Sequence, residues 1–78
     1  MSLVAFCYFK TRRGTAVVAR DEHNGRYYAV FDNEVLGSYA SPDQAVDDLC
    51  GGHTFTPSSG VDTSTLGLPE DWRDWQRA

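Results

Sequence analysis

No apolar run in this chain approaches the roughly 20 residues needed to cross a bilayer, and the start, Met1 to Tyr8, has neither a basic n-region nor a small-residue cleavage site. No leader is read there. Cysteine is scarce: Cys7 and Cys50 stand far apart without the spacing of a disulfide framework, which suits a reducing compartment better than a stapled secreted module. A cytoplasmic location is therefore expected. The nucleotide-cradling P-loop, the G-x-S-x-G elbow, the H-E-x-x-H zinc pattern and the dinucleotide fingerprint are all missing. With 78 residues there is also little room for an enzyme pocket. The sequence reads as non-catalytic.

What is present is a single small domain spanning residues 1–78. A domain of this size hides about 60% of the surface its unfolded chain exposes, so each large side chain counts. Hydrophobic residues make up 41% and aromatics 13%, too much for a disordered polypeptide. The expected fold class is α+β: a four-stranded antiparallel meander over 3–39, a short amphipathic helix over 41–50, and a packed tail over 53–76 with a short helical turn.

Strands are predicted at 3–9, 15–19, 26–31 and 34–39 from their aromatic and β-branched content. Arg12-Arg13-Gly14, Asp21 to Gly25 and Asp32-Asn33 supply the turns, because glycine, asparagine and aspartate tolerate left-handed backbone. Gly37 marks a bulge or a close approach. Short connections place the strands in the order 1-2-3-4. Ser41-Pro42-Asp43-Gln44 reads as N-cap, first-turn proline, an acid at the positive end of the helix dipole and a capping-box partner. Ala45, Val46, Leu49 and Cys50 form one stripe, and Gly51-Gly52 is the stop. Beyond it, Phe55, Val61, Leu66, Leu68, Trp72 and Trp75 recur too often for a solvated linker, and Pro69 to Trp72 resembles another helix start. The meander carries apolar residues of both parities, so the helix is expected on one face and the tail on the other, or the tail around the helix. Against this stands a tail whose Trp72 and Trp75 remain exposed for a partner.

The net charge of −4 hides an asymmetry. Residues 1–30 carry five basic side chains (Lys10, Arg12, Arg13, Arg20, Arg26) and two acids, whereas residues 31–78 carry nine acids and two arginines. An anionic partner would have to dock on the first hairpin. Lys10, Arg12, Arg13 and Arg26 beside Tyr8, Tyr27 and Tyr28 are the residue types that hold phosphates and stack bases. The acidic pI of about 4.8 opposes that use. A solvated surface of mixed charge is the simpler account.

Cys50-Gly51-Gly52-His53 has the spacing of half a zinc site, but the remaining ligands of that kind, Cys7 and His23, fall on a strand and in a turn. No metal or other cofactor is expected. Cys50 is also badly placed to be a nucleophile, since the C-terminus of a helix and an apolar stripe both favour the neutral thiol. Asp47 and Asp48 point about 100° apart on the helix and form no converging acid/base pair.

Two resemblances add to this reading. Gly25-Arg26-Tyr27-Tyr28-Ala29-Val30-Phe31, Leu36 to Tyr39 and Ser41 to Ala45 resemble the strand-turn-strand-helix of plant AP2-type and phage integrase arm-binding domains, which implies a sheet entering a DNA groove. Leu36 to Pro42, Asp47-Asp48-Leu49, Gly51 to Phe55, Pro57-Ser58, Gly60 to Thr63, Leu66 to Asp71 and Trp75 together are similar to a family of short uncharacterised bacterial proteins. That similarity implies a bacterial origin and an ordered C-terminal half, and no activity.

The sequence thus favours a bacterial interaction module that binds another protein, as a regulatory partner, or pairs with its own copy through edge strand 1 or 4. Weak nucleic-acid binding through the basic hairpin is the alternative. The candidate binding residues are Lys10, Arg12, Arg13, Arg26, Tyr28, Trp72 and Trp75. No membrane role is expected.

Overall fold

Turn chemistry and strand propensity act together in the first half of the chain. The computed structural model describes residues 3–78; Met1 and Ser2, which open the stretch read for a leader, lie outside them. Strands β1 (Leu3–Thr11), β2 (Gly14–Asp21), β3 (Tyr27–Phe31) and β4 (Glu34–Tyr39) pair antiparallel in sequence order. Asp32 and Asn33 both take positive φ, 49° and 67°, giving the turn whose twist matches that of the flanking strands. At the β2–β3 connection the Asp21 carboxylate accepts the His23 N–H at 2.8 Å, and Asn24 Oδ1 accepts the Arg26 N–H at 2.8 Å. Helix α1 (Pro42–Gly51), 3₁₀ turns at Thr63–Thr65 and Trp72–Asp74, and a two-residue strand β5 (Gln76–Arg77) complete the chain. The sheet therefore has five strands in the order β4-β3-β2-β1-β5. The fifth strand is too short to leave a pattern in the sequence.

Two register shifts shape the interior. On β1, Ala5 faces Ala19 and Cys7 faces Val18, leaving Phe6 as an extra residue. On β4, Gly37 faces Ala29 and Val35 faces Val30, leaving Leu36 extra. An extra residue lets two consecutive side chains share one side of a strand. Phe6 thereby joins Cys7 against the core, and Leu36, 1% exposed, enters the interior. Of the two readings of Gly37, the bulge falls one residue earlier and the close approach holds at Gly37 itself, where an added Cβ would lie 2.6 Å from the Tyr39 hydroxyl.

Helix α1 begins where the sequence places it. Ser41 Oγ accepts the Gln44 N–H at 3.3 Å, and Gln44 Oε1 returns to the Ala40 N–H at 3.2 Å, one residue upstream of the usual capping-box target. Gly51 is the last helical residue and Gly52, at φ 70°, is the left-handed cap. Ala45, Val46 and Leu49 are fully buried against the sheet. Burying a valine or leucine side chain contributes about 1.5–3 kcal/mol, which makes this stripe the main source of adhesion between helix and sheet.

The tail joins the same core. Leu68 and Trp75 belong to one apolar cluster with Cys7, Ala16, Val18, Ala29, Phe31 and the α1 stripe. Cys50 Sγ lies 3.5 Å from the Leu68 carbonyl oxygen, and the Trp75 ring meets Phe9 with centroids 6.2 Å apart. Helix and tail thus cover one sheet face side by side, and the expectation of one cover on each face is corrected. The apolar residues of opposite parity that motivated it are the bulge residues, which the register shifts turn inward, and a row of valines left outside. Phe55 also departs from expectation: it is 79% exposed, and its N–H donates to the Leu36 carbonyl at 3.0 Å.

Candidate functional site

The register defines what lies on the uncovered face. Tyr8, Val17, Val30 and Val35 stand opposite one another across four strands, and Ala5, Ala19, Tyr28 and Ser38 form the next row. Alternation along the strands adds Lys10 and Thr15 at one end and Asp21 and Arg26 at the other. Val35 is 44% exposed, and Tyr8, Val17 and Tyr28 are partly exposed. Arg26 Nε donates to Ser38 Oγ at 2.7 Å, and the Tyr28 hydroxyl accepts from Asn24 Nδ2 at 3.3 Å. Asp21, the acid at a register position of this face, is 3% exposed and engaged by His23.

Seven of the eleven acids lie in the other layer. Asp43, Asp47 and Asp48 are on α1, and Asp62, Glu70, Asp71 and Asp74 are in the tail. The division along the sequence is only partly a division in space: Asp21, Glu22, Asp32 and Glu34 lie on the meander with Lys10, Arg12, Arg13, Arg20 and Arg26, and Arg73 and Arg77 lie in the tail.

The sequence-predicted site residues separate into three groups. Lys10, Arg12 and Arg13 line one cleft of about 570 Å³ with Phe9, Thr11, Thr65 and Leu66. Arg26 and Tyr28 sit at the far end of the sheet: Lys10 faces Thr15, whereas Tyr28 faces Ala19 and Arg26 lies just beyond the Arg20–Tyr27 pair. The five residues of β2 between those points span roughly 17 Å. Trp72 and Trp75 lie on the covered side. Trp75 is 3% exposed, and its Nε1 donates to the Pro69 carbonyl at 2.9 Å. Trp72 is half-buried, packed on Phe6 and stacked by the Arg73 and Arg77 guanidinium groups at 4.8 and 4.4 Å. Trp75 is therefore interior material, with no surface to offer a partner.

Sequence reasoning missed the valine row, because β2 and β3 read as core strands on both sides. It also missed Phe9, Thr65 and Leu66, because nothing local says that the tail returns to the first hairpin.

Neither thiol is activated. Burial raises Cys7 to about 11, with Arg77 pulling weakly the other way. Burial, then the carboxylates of Glu70 and Asp47, raise Cys50 above its ordinary value. Among the described residues no group of three or more His, Cys, Asp and Glu side chains gathers as metal ligands. No helix among them is long and apolar enough to cross a membrane. No family model, curated protein or solved structure matches the chain, so the geometry alone speaks to its chemistry.

Proposed function

We propose that this chain is a small non-catalytic binding module that docks an acidic protein partner on the open face of its sheet. The observation that carries this reading is the Tyr8-Val17-Val30-Val35 row. It is an apolar strip on the face that helix and tail leave uncovered, with Val35 44% exposed, Tyr8 and Val17 partly exposed and Val30 itself buried, and it is bordered by Lys10 and Arg26. An apolar centre with a charged rim is the anatomy of a protein interface. Cations on the rim select an acidic partner and speed its approach. Pairing through an edge strand is the weaker route: β5 occupies part of the β1 edge, and Phe55 and Ser58 bond to Leu36 and Glu34 at the β4 edge.

The test is a photo-crosslinking residue in place of Val35, with the same residue in place of Asp47 on the opposite layer as control. In cells expressing the chain, the Val35 position should trap one acidic protein. That adduct should disappear in a Lys10→Glu, Arg26→Glu variant that keeps its circular dichroism spectrum. Equal trapping at both positions, or adducts made of nucleic acid, would overturn the reading.

A further inference from the structure

The tip of the first hairpin carries a second surface that the sheet face does not account for. Lys10, Arg12 and Arg13 line a cleft between the β1–β2 hairpin and the Thr63–Thr65 turn, with Phe9 and Leu66 as its apolar walls. No carboxylate lines it. The ion pair found among the described residues is Arg73–Asp71, at the other end of the tail, so none of the three cations is ion-paired among them. Three like charges held on neighbouring residues repel one another, and the Asp32 carboxylate near the hairpin tip accepts the Thr15 N–H at 3.2 Å and forms no ion pair with them. The cleft's volume of about 570 Å³ falls in the range of small-molecule sites.

The donors define the ligand. Two guanidinium forks and an ammonium match the oxygens of phosphate. A carboxylate would neutralise one of the three charges, whereas a phosphomonoester dianion neutralises two. The hydroxyls contribute little as donors, because Thr11 Oγ1 already donates to the Gly14 carbonyl at 2.7 Å and Thr65 Oγ1 to the Asp62 carbonyl at 2.7 Å. Phe9 and Leu66, both partly exposed, offer contact to a flat organic group attached to the phosphate.

We propose that this cleft binds a phosphomonoester carrying a planar organic group, of the kind presented by a nucleoside monophosphate or by the 5′-phosphorylated end of a nucleic-acid strand. The phosphate sits among Lys10, Arg12 and Arg13, and the ring lies on Phe9 and Leu66. The cleft shares Lys10 with the border of the valine row, whereas Arg12, Arg13, Phe9 and Leu66 belong to the cleft alone, so the two arginine variants report on this site without touching the sheet face.

Amide chemical shifts of the full chain, followed by NMR during titration with adenosine monophosphate, test it. The expected result is saturable movement of the amides of Phe9 to Arg13, Thr65 and Leu66, with adenosine giving none. Arg12→Ala and Arg13→Ala remove exposed side chains and should leave the fold intact; each should weaken binding by about tenfold, as loss of a charge-assisted hydrogen bond implies. Val35→Asp should leave the affinity unchanged. A short oligonucleotide with and without a 5′-phosphate separates the two sources: tighter binding of the phosphorylated strand than of the mononucleotide assigns the site to strand ends, and the reverse order assigns it to free nucleotides. Absence of saturation at millimolar nucleotide, binding no tighter than that of inorganic phosphate, or unchanged affinity in both arginine variants would overturn the proposal.

Discussion

The indole Nε1 of Trp75 donates to the carbonyl oxygen of Pro69 at 2.9 Å, closing the last turn of the tail over the sheet. The bond explains why a large amphipathic residue can be buried here at all: its polar atom finds a partner inside the loop that carries it.

Trp75→Phe should keep the packing against Phe9 while leaving the Pro69 carbonyl with only the weak Cys50 thiol donor at 3.4 Å, at a cost of about 1 kcal/mol. Trp75→Ala should cost about 3–5 kcal/mol, a large part of the stability of a small domain. Urea midpoints followed by circular dichroism check both, and a midpoint unchanged in the alanine variant would show that the tail is not part of the core.

Much of this architecture was legible in the sequence. The meander could be read because Asp32-Asn33 and Asn24-Gly25 are specific turn chemistry, and the helix because Ser41-Pro42-Asp43-Gln44 states its start. The tail's burial followed from the recurrence of Leu68 and Trp75. Its path did not, because which sheet face a tail joins depends on contacts between residues 60 or more positions apart, such as Phe9 with Trp75. The bulge at Leu36 was marked to within one residue by Gly37, whereas that at Phe6 was hidden: a register shift belongs to a pair of strands, and a single strand without a glycine does not record it. The basic residues of the candidate sites were visible as a set, but their division between the hairpin cleft and the far end of the sheet is a matter of register.

Gly14 should resist substitution. Its φ is +149°, and an added Cβ would lie 2.6 Å from both Asp32 carboxylate oxygens and from Phe31 Cζ. The same carboxylate accepts the Thr15 N–H at 3.2 Å, so moving it loosens the contact between the two hairpins. Gly14→Ala is expected to cost about 1–3 kcal/mol. Gly60→Ala, where nothing lies within 4 Å and only the positive φ matters, should cost about 1 kcal/mol. The urea midpoints of the two variants should differ in that order.

Arg77 stacks over both Phe6, at 5.3 Å, and Trp72, at 4.4 Å. Arg77→Ala should destabilise by about 0.5–2 kcal/mol, as expected for loss of a cation–π contact at a partly exposed site. Arg77→Lys should recover less than the full loss, because an ammonium lacks the flat stacking surface. Comparable midpoints for the wild type and the alanine variant would remove this stack from the account of how β5 is held.

Alkali should unfold the domain through two groups. Burial raises Cys7 from an ordinary 9.0 to about 11, and burial together with the Asp48 carboxylate raises Tyr39 from 10.0 to about 12. Both are neutral when protonated and hold the proton more tightly in the folded state. Their contribution to stability is therefore complete below about pH 9 and is lost first between pH 9 and 11, then between pH 10 and 12. Cys7→Ser should flatten the lower part of that decline in urea midpoints measured against pH. Asp48→Asn should bring Tyr39 ionisation, read by its ultraviolet absorbance, to lower pH. Stability independent of pH up to 11 in the wild type would contradict the burial of the thiol.

The meander carries five basic side chains against four acids, and the helix and tail two against seven, an imbalance that gives the molecule a permanent electric dipole despite its net negative charge. In the field of a negatively charged surface such a body experiences a torque before it feels any contact, and it rotates until its valine row faces inward. Ionic strength should then govern how often an encounter begins in the correct orientation, while leaving the lifetime of the finished complex to the apolar side chains.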